Sequence, residues 1–172
     1  PGDGTVLVQP TVELNHFLIT GLQNIEDELA ESCTETLTLD MGKEELIRQM
    51  KAGNQRYVKS QPKKKGGGSA CHRAELAHGQ APPVALIGCA ASRVPPELVF
   101  DADAGELFTV RVAGNVVSPD NLASLEYAVK CLGTKLVIVL GHTRCGAVAA
   151  ACGDQSGLVG HLPMLMHQIR PH

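Results

Sequence analysis

The 172-residue chain is long enough for one domain with a sizeable core and too short for two comfortable ones. Its formal net charge of −3 gives no overall attraction for nucleic acid, and its basic cluster at residues 63–65 runs into glycines without aromatic neighbours. Its apolar runs are of strand length, which excludes a transmembrane segment.

Residues 1–41 are predicted to form an arm followed by an amphipathic helix. Apolar positions between residues 12 and 29 recur at helical spacing, which predicts a helix that needs a surface to cover, on its own domain or on a partner. The chain begins with Pro1 rather than Met, which indicates a processed or partial chain and leaves room for a removed targeting peptide.

Residues 42–172 are predicted to alternate between helices and strands. The predicted helices cover residues 43–58, 73–78, 121–132, 146–152 and 158–169, the strands cover 84–88, 107–112 and 135–140, and residues 62–69 form a flexible loop. Because the strands are short, near-continuous apolar runs, they are typical of a parallel sheet buried on both faces. The predicted fold class is α/β, with a mostly parallel sheet flanked by helices and an N-terminal helical extension.

Metal-ligand residue types follow two of these predicted strands. Cys89 comes directly after the first strand, and His142 and Cys145 follow the third. Since parallel strands present their carboxyl ends at one edge of a sheet, the three side chains are expected to share one crevice. Thiolate and imidazole are ligands that Zn²⁺ prefers, and three protein ligands leave the fourth position open, as in catalytic zinc sites.

Other interpretations of these cysteines remain open at this point. A disulfide between Cys89 and Cys145 is the competing chemistry, although it leaves His142 and Arg93 unexplained. Each residue taken alone is also compatible with a structural role. The remaining cysteines are interpreted as ordinary thiols: Cys33, Cys71, Cys131 and Cys152. Thiolate ligands indicate a reducing intracellular compartment.

The donor set also limits the chemistry of the metal. Two thiolates and one neutral imidazole cancel the charge of Zn²⁺, which makes the ion a weaker acid than zinc held by three histidines. Such an ion can still lower the pKa of a water molecule towards neutrality. The predicted site therefore suits attack of water on a small electrophilic carbon.

An ordered series of motifs between residues 43 and 152 resembles the β-carbonic anhydrases. The matching segments are residues 50–57, 79–82, 88–89, 92–95, 105–108, 111–115, 124–129 and 140–148. The resemblance implies a mostly parallel sheet flanked by helices, a dimer with active sites at the subunit interface, and CO₂ and bicarbonate as substrates.

The same resemblance implies roles for individual residues. It implies that Cys89, His142 and Cys145 bind Zn²⁺, that Arg93 and Gln80 take part in catalysis, and that the substrate contacts are Gln80, Phe108, Tyr127 and Gly146. Phe108 and Tyr127 resemble the apolar wall of the CO₂ pocket that the neighbouring subunit provides. Core packing is the alternative for these two rings.

The chain departs from the family pattern at two places. Ala91 stands where the family motif Cys-x-Asp-x-Arg has its Asp, so the side chain that orients the nucleophile is absent and Arg93 lacks its carboxylate partner. The chain also ends soon after Cys145, where family members continue with further helices and an edge strand, so the zinc domain at residues 42–172 is expected to be short at its C-terminus.

Two functions follow from these expectations. One is zinc-dependent reversible hydration of CO₂ by a homodimer, impaired by Ala91. The other is a catalytically inactive, zinc-binding subunit that docks onto a larger assembly through its N-terminal helix. Either protein is expected in the cytoplasm or in an organelle such as the chloroplast or mitochondrion.

Overall fold

The computed structural model of the chain describes residues 41–63, 73–74 and 76–170. The arm and helix predicted over residues 1–41 lie outside this range except for Met41, as does most of the predicted loop at 62–69. The helices are α1 (Lys43–Val58), α2 (Pro96–Val99), α3 (Pro119–Cys131), α4 (Gly146–Cys152) and α5 (Leu162–Ile169); the strands are β1 (Val84–Cys89), β2 (Leu107–Val112) and β3 (Leu136–Leu140); a 3₁₀ turn spans Ala113–Asn115.

The described strands form one parallel sheet in the order β2-β1-β3. β1 lies in the centre, and all six of its residues are buried, which matches the prediction that its apolar run is covered on both faces. The chain leaves β1 towards β2 and then crosses back to β3 on the other side. In sheets with this reversal, ligands bind in the crevice beyond the carboxyl ends of the strands. The predicted fold class is confirmed.

Two apolar clusters cover the two faces of β1. Because side chains alternate along a strand, Ala85 and Ile87 pack on one face against α3, while Leu86 packs on the other against Val99 and Phe100. Met50 and Tyr57 of α1 complete the second cluster. Together these layers fix β1 rigidly, so Cys89 at its end has a well-defined position.

Helix α1 is attached to the turn after α2 by a short polar motif. Gly53 permits a close approach, since a Cβ there would lie 1.8 Å from the carbonyl oxygen of Phe100. The side-chain amide of Asn54 donates to the carbonyl of Val99 at 3.1 Å. One turn further on, Arg56 forms an ion pair with Asp101, whose side chain is 1% exposed. This motif explains why a glycine is tolerated in the middle of a helix.

Removing the guanidinium from this pair is expected to destabilise the fold. In an Arg56→Met variant, Asp101 keeps the backbone N–H of Lys63 as a donor but loses its positive partner. Loss of one member of a buried pair leaves a buried charge, and we expect the free energy of unfolding to fall by about 3 kcal/mol. Urea denaturation measures this loss. The matched control is Arg48→Met, which breaks the exposed pair with Glu45 and should change stability little.

The structure differs from the sequence prediction in several boundaries and in two short elements; helix α3, for example, begins at Pro119 rather than at residue 121. The last helix begins at Leu162 rather than residue 158, because Pro163 lacks an N–H and fits only the first helical turn. Helix α2, with Pro96 at its first position, and the 3₁₀ turn after β2 were not predicted. Both are too short to show the repeated apolar spacing from which helices are recognised. No helix among the described residues has the length and apolar character needed to cross a bilayer.

Candidate metal centre

The strand register brings the three predicted ligands to one place. Gly88 of β1 pairs with Leu140 of β3, so both strands end at the same level of the sheet. Cys89 is the last residue of β1 and is buried, and the loop that leaves β3 carries His142 and Cys145. The crevice between the two loops lies beyond the end of β1, where the order of the strands reverses.

The distances within this cluster suit a tetrahedral ion. The two sulfur atoms of Cys89 and Cys145 lie 3.8 Å apart, and the three potential ligand atoms all lie within 4.8 Å of one another. Two sulfur ligands at about 2.3 Å from a tetrahedral zinc are themselves about 3.8 Å apart. Both cysteines are free thiols, so the disulfide considered from the sequence is not formed.

The imidazole of His142 is oriented with one nitrogen towards the cluster. Its Nδ1 lies 2.9 Å from the carbonyl oxygen of Thr143, and since a carbonyl only accepts, Nδ1 carries the proton and donates. Nε2 is then the basic nitrogen, and it is buried without a hydrogen-bond partner. Burying a basic nitrogen without a partner costs free energy, and coordination of a metal ion by that nitrogen removes this cost. The residues present therefore fit Zn²⁺.

The surroundings of Cys145 favour its thiolate form. Burial alone raises the pKa of this thiol, but the N–H of Val148, the Cys89 thiol and the N–H groups of Ala147 and Gly114 together outweigh it and hold the pKa below its ordinary value. The N–H groups of Ala147 and Val148 belong to the first turn of α4, for which Cys145 is the N-cap residue. Because only a thiolate ligates a metal, these donors prepare Cys145 for the role.

Two arginines contact the backbone of the loops that carry the ligands. Arg111 of β2 donates to the carbonyl oxygens of Cys89 at 2.9 Å and of Ala91 at 2.6 Å. Arg93 donates from Nη2 to the carbonyl oxygen of Arg144 at 2.6 Å. The sequence analysis gave Arg111 and Arg144 no role. The signal for Arg111 that was available in the sequence is a charged residue near the end of an apolar strand.

The structure places the predicted substrate residues apart from the cluster. Gln80 is exposed and lines an open pocket of about 360 Å³ with residues 76–79 and Gly105, none of which is a ligand candidate. Phe108 pairs with Ala85, four residues before Cys89 and so about 13 Å along the strand. Its ring lies 6.3 Å from that of half-exposed Tyr127. Gly146 is the exception, since it directly follows Cys145 at the start of α4.

Comparison with known proteins identifies the family. The family model described as carbonic anhydrase matches residues 84–172, which is more than half of the chain. A tetrameric β-carbonic anhydrase from Sordaria macrospora superimposes with a TM-score of 0.53 at 29% identity, covering 71% of this chain and 61% of that one. The chain belongs to the β-carbonic anhydrase family.

Two further relatives agree with this family. Carbonic anhydrase 2 of Mycobacterium tuberculosis is 48% identical over 102 residues, which is 59% of this chain and 49% of that protein. The Coccomyxa β-carbonic anhydrase in complex with acetazolamide matches with a TM-score of 0.53 at 30% identity, over 75% of this chain and 55% of that one. The chain thus spans about half the length of the curated relatives it matches. These comparisons give no support to the alternative of an inactive subunit.

Proposed function

We propose that this β-carbonic anhydrase family member catalyses the zinc-dependent reversible hydration of CO₂ to bicarbonate. The observation that carries the proposal is the cluster of Cys89, His142 and Cys145, with the basic Nε2 of His142 buried among the thiols and without a partner. These three residues would hold zinc and leave its fourth position to a small molecule. Zinc there supplies Lewis acidity that activates water as a nucleophile near neutral pH.

The protein's own contribution is to hold the ligand loops and to present the donors in the correct state. The carbonyl of Thr143 fixes the imidazole tautomer, and the N–H groups of α4 stabilise the thiolate of Cys145. Ala91 offers only a methyl group where the family has a carboxylate, so this chain lacks a side chain there that could accept a proton or orient a nucleophile. A catalyst with lowered turnover is the expected consequence.

We infer that a second copy of the chain completes the substrate pocket. Phe108 lies about 13 Å along the sheet from Cys89, and Tyr127 of α3, whose ring is 6.3 Å from that of Phe108, exposes half of its surface. A ring of this size on the surface, next to a second aromatic residue, suits burial against another subunit. Gln80, which is also exposed, would reach the pocket in the same way. We also propose a reducing compartment, because free thiols of this kind are kept reduced there.

Removal and return of the metal tests the proposed activity. In a stopped-flow assay with a pH indicator, the rate of CO₂ hydration should be higher with the zinc-loaded chain, at one equivalent of zinc, than in buffer alone. Treatment with a strong chelator should remove this activity, and addition of zinc should restore it, because the three ligands need no other cofactor. A folded, zinc-loaded chain that only matches the buffer rate would contradict the proposal and support the non-catalytic alternative.

A further inference from the structure

Arg93 joins the two segments that carry the metal ligands. The first ligand loop comprises residues 89–93, and the second comprises residues 141–145. From the first loop, Nη2 of Arg93 donates to the carbonyl oxygen of Arg144 in the second, at 2.6 Å and across 51 positions of sequence. Arg111, by contrast, contacts only carbonyls of the first loop among its side-chain hydrogen bonds given by the structure. The two arginines therefore have different tasks.

The carbonyl that Arg93 holds belongs to a residue in an unfavourable conformation. Arg144 has φ of 56°, in the left-handed region that residues other than glycine avoid. It lies directly before Cys145, so its φ and ψ set the direction in which the chain carries the thiol towards Cys89. A surrounding interaction must maintain such a conformation, and the hydrogen bond from Arg93 acts on the residue itself.

Position 91 has no carboxylate to which Arg93 could donate. Among the described residues, Arg93 forms no ion pair, and its side-chain hydrogen bond goes to a backbone carbonyl. Its guanidinium is exposed and donates to the backbone carbonyl oxygen of Arg144. A hydrogen bond from a charged donor is stronger than a neutral one, which suits it to holding a strained turn.

We propose that Arg93 is a positioning residue that clamps the second ligand loop in its metal-binding conformation, an inference that rests on the proposed zinc function. When the clamp is removed, Arg144 relaxes out of the left-handed region in the metal-free protein. Zinc binding must then restore the unfavourable turn, and the affinity falls. The clamp acts through the backbone of Arg144 and needs no contact between Arg93 and the metal or substrate.

The first test is the zinc affinity of an Arg93→Met variant of the full chain, measured by competition with a chromophoric chelator. We expect binding about tenfold weaker, the factor that corresponds to a left-handed residue losing its support. The thermal midpoint of the metal-free protein should not change, because Arg93 is exposed and outside the core. Arg48→Met, at an exposed arginine of α1, serves as the matched control and should bind zinc like the parent chain.

A second variant separates the clamp from a simple effect of charge. Glycine adopts positive φ without strain, so Arg144→Gly should restore most of the lost affinity in the Arg93→Met background and should add little to the parent chain. Unchanged affinity in Arg93→Met, or a loss that Arg144→Gly does not recover, would overturn the clamp. A parent chain that binds no zinc would instead contradict the proposed function itself.

Discussion

Replacement of Cys145 by serine is expected to abolish zinc binding at stoichiometric concentration and, with it, CO₂ hydration. Serine has nearly the same size, but its hydroxyl stays protonated and offers zinc no thiolate. Changes to residues that only support metal ligands already cost 10–100-fold in affinity, so loss of a ligand should cost more than about 100-fold. Metal analysis after gel filtration and the stopped-flow assay measure the two effects.

The chain provides matched controls for this experiment. Cys152→Ser alters an exposed cysteine seven positions further on, at the end of α4, and should leave metal content and activity unchanged. His142→Ala should reproduce the loss seen with Cys145→Ser, whereas His161→Ala, at an exposed histidine before α5, should not. Full zinc content in Cys145→Ser would show that the metal binds at another site.

Introduction of a carboxylate in Ala91→Asp is expected to raise the rate of CO₂ hydration by about 10²-fold. The side chain at position 91 follows Cys89 by two residues, and its backbone carbonyl is already held by Arg111, so the loop is anchored before the substitution. A carboxylate there can accept a hydrogen bond from the nucleophile and keep it oriented. The gain should appear in kcat rather than in zinc content, since three ligands remain in both proteins.

The matched control for this gain is Ala91→Asn. Asparagine has the shape of aspartate but carries no charge and accepts hydrogen bonds more weakly, so it should recover only a small part of the rate. Zinc content and unfolding midpoint should be compared in all three proteins. Equal rates for the parent chain and Ala91→Asp would show that the missing carboxylate does not limit turnover.

The strands of the sheet and the position of the metal cluster could be predicted from the sequence. The run from Val84 to Cys89 is apolar without alternation, and such a strand needs cover on both faces, which the structure provides. Because β1 and β3 are parallel and in register, ligands that follow them must meet at one edge. The metal cluster was thus predictable from residue type and strand position.

The contacts made by the arginines were not predictable in the same way. Arg93 and Arg111 donate to backbone carbonyls, and a carbonyl is present at every residue, so no sequence pattern marks which one is the acceptor. The hydrogen bond from Arg93 to Arg144 depends on how the two loops approach each other. The tautomer of His142 depends on the conformation of Thr143 for the same reason.

The start of the last helix was predicted wrongly for a different reason. Apolar residues from Leu158 onwards continue the helical period, yet Gly160 has φ of 63° and Pro163 allows a helix to begin only shortly before it. Here two backbone preferences overrode the apolar pattern. Gln80, Phe108 and Tyr127 are a third case, since their proposed roles depend on a second copy of the chain.

Zinc K-edge X-ray absorption of the zinc-loaded chain tests the central claim most directly. The claim predicts two sulfur ligands at about 2.3 Å and one imidazole nitrogen at about 2.0 Å, with a fourth light atom that a small anion or sulfonamide replaces. The spectrum of Cys145→Ser should show no such site. A site closed by four protein ligands, or a first shell without two sulfur atoms, would contradict the account.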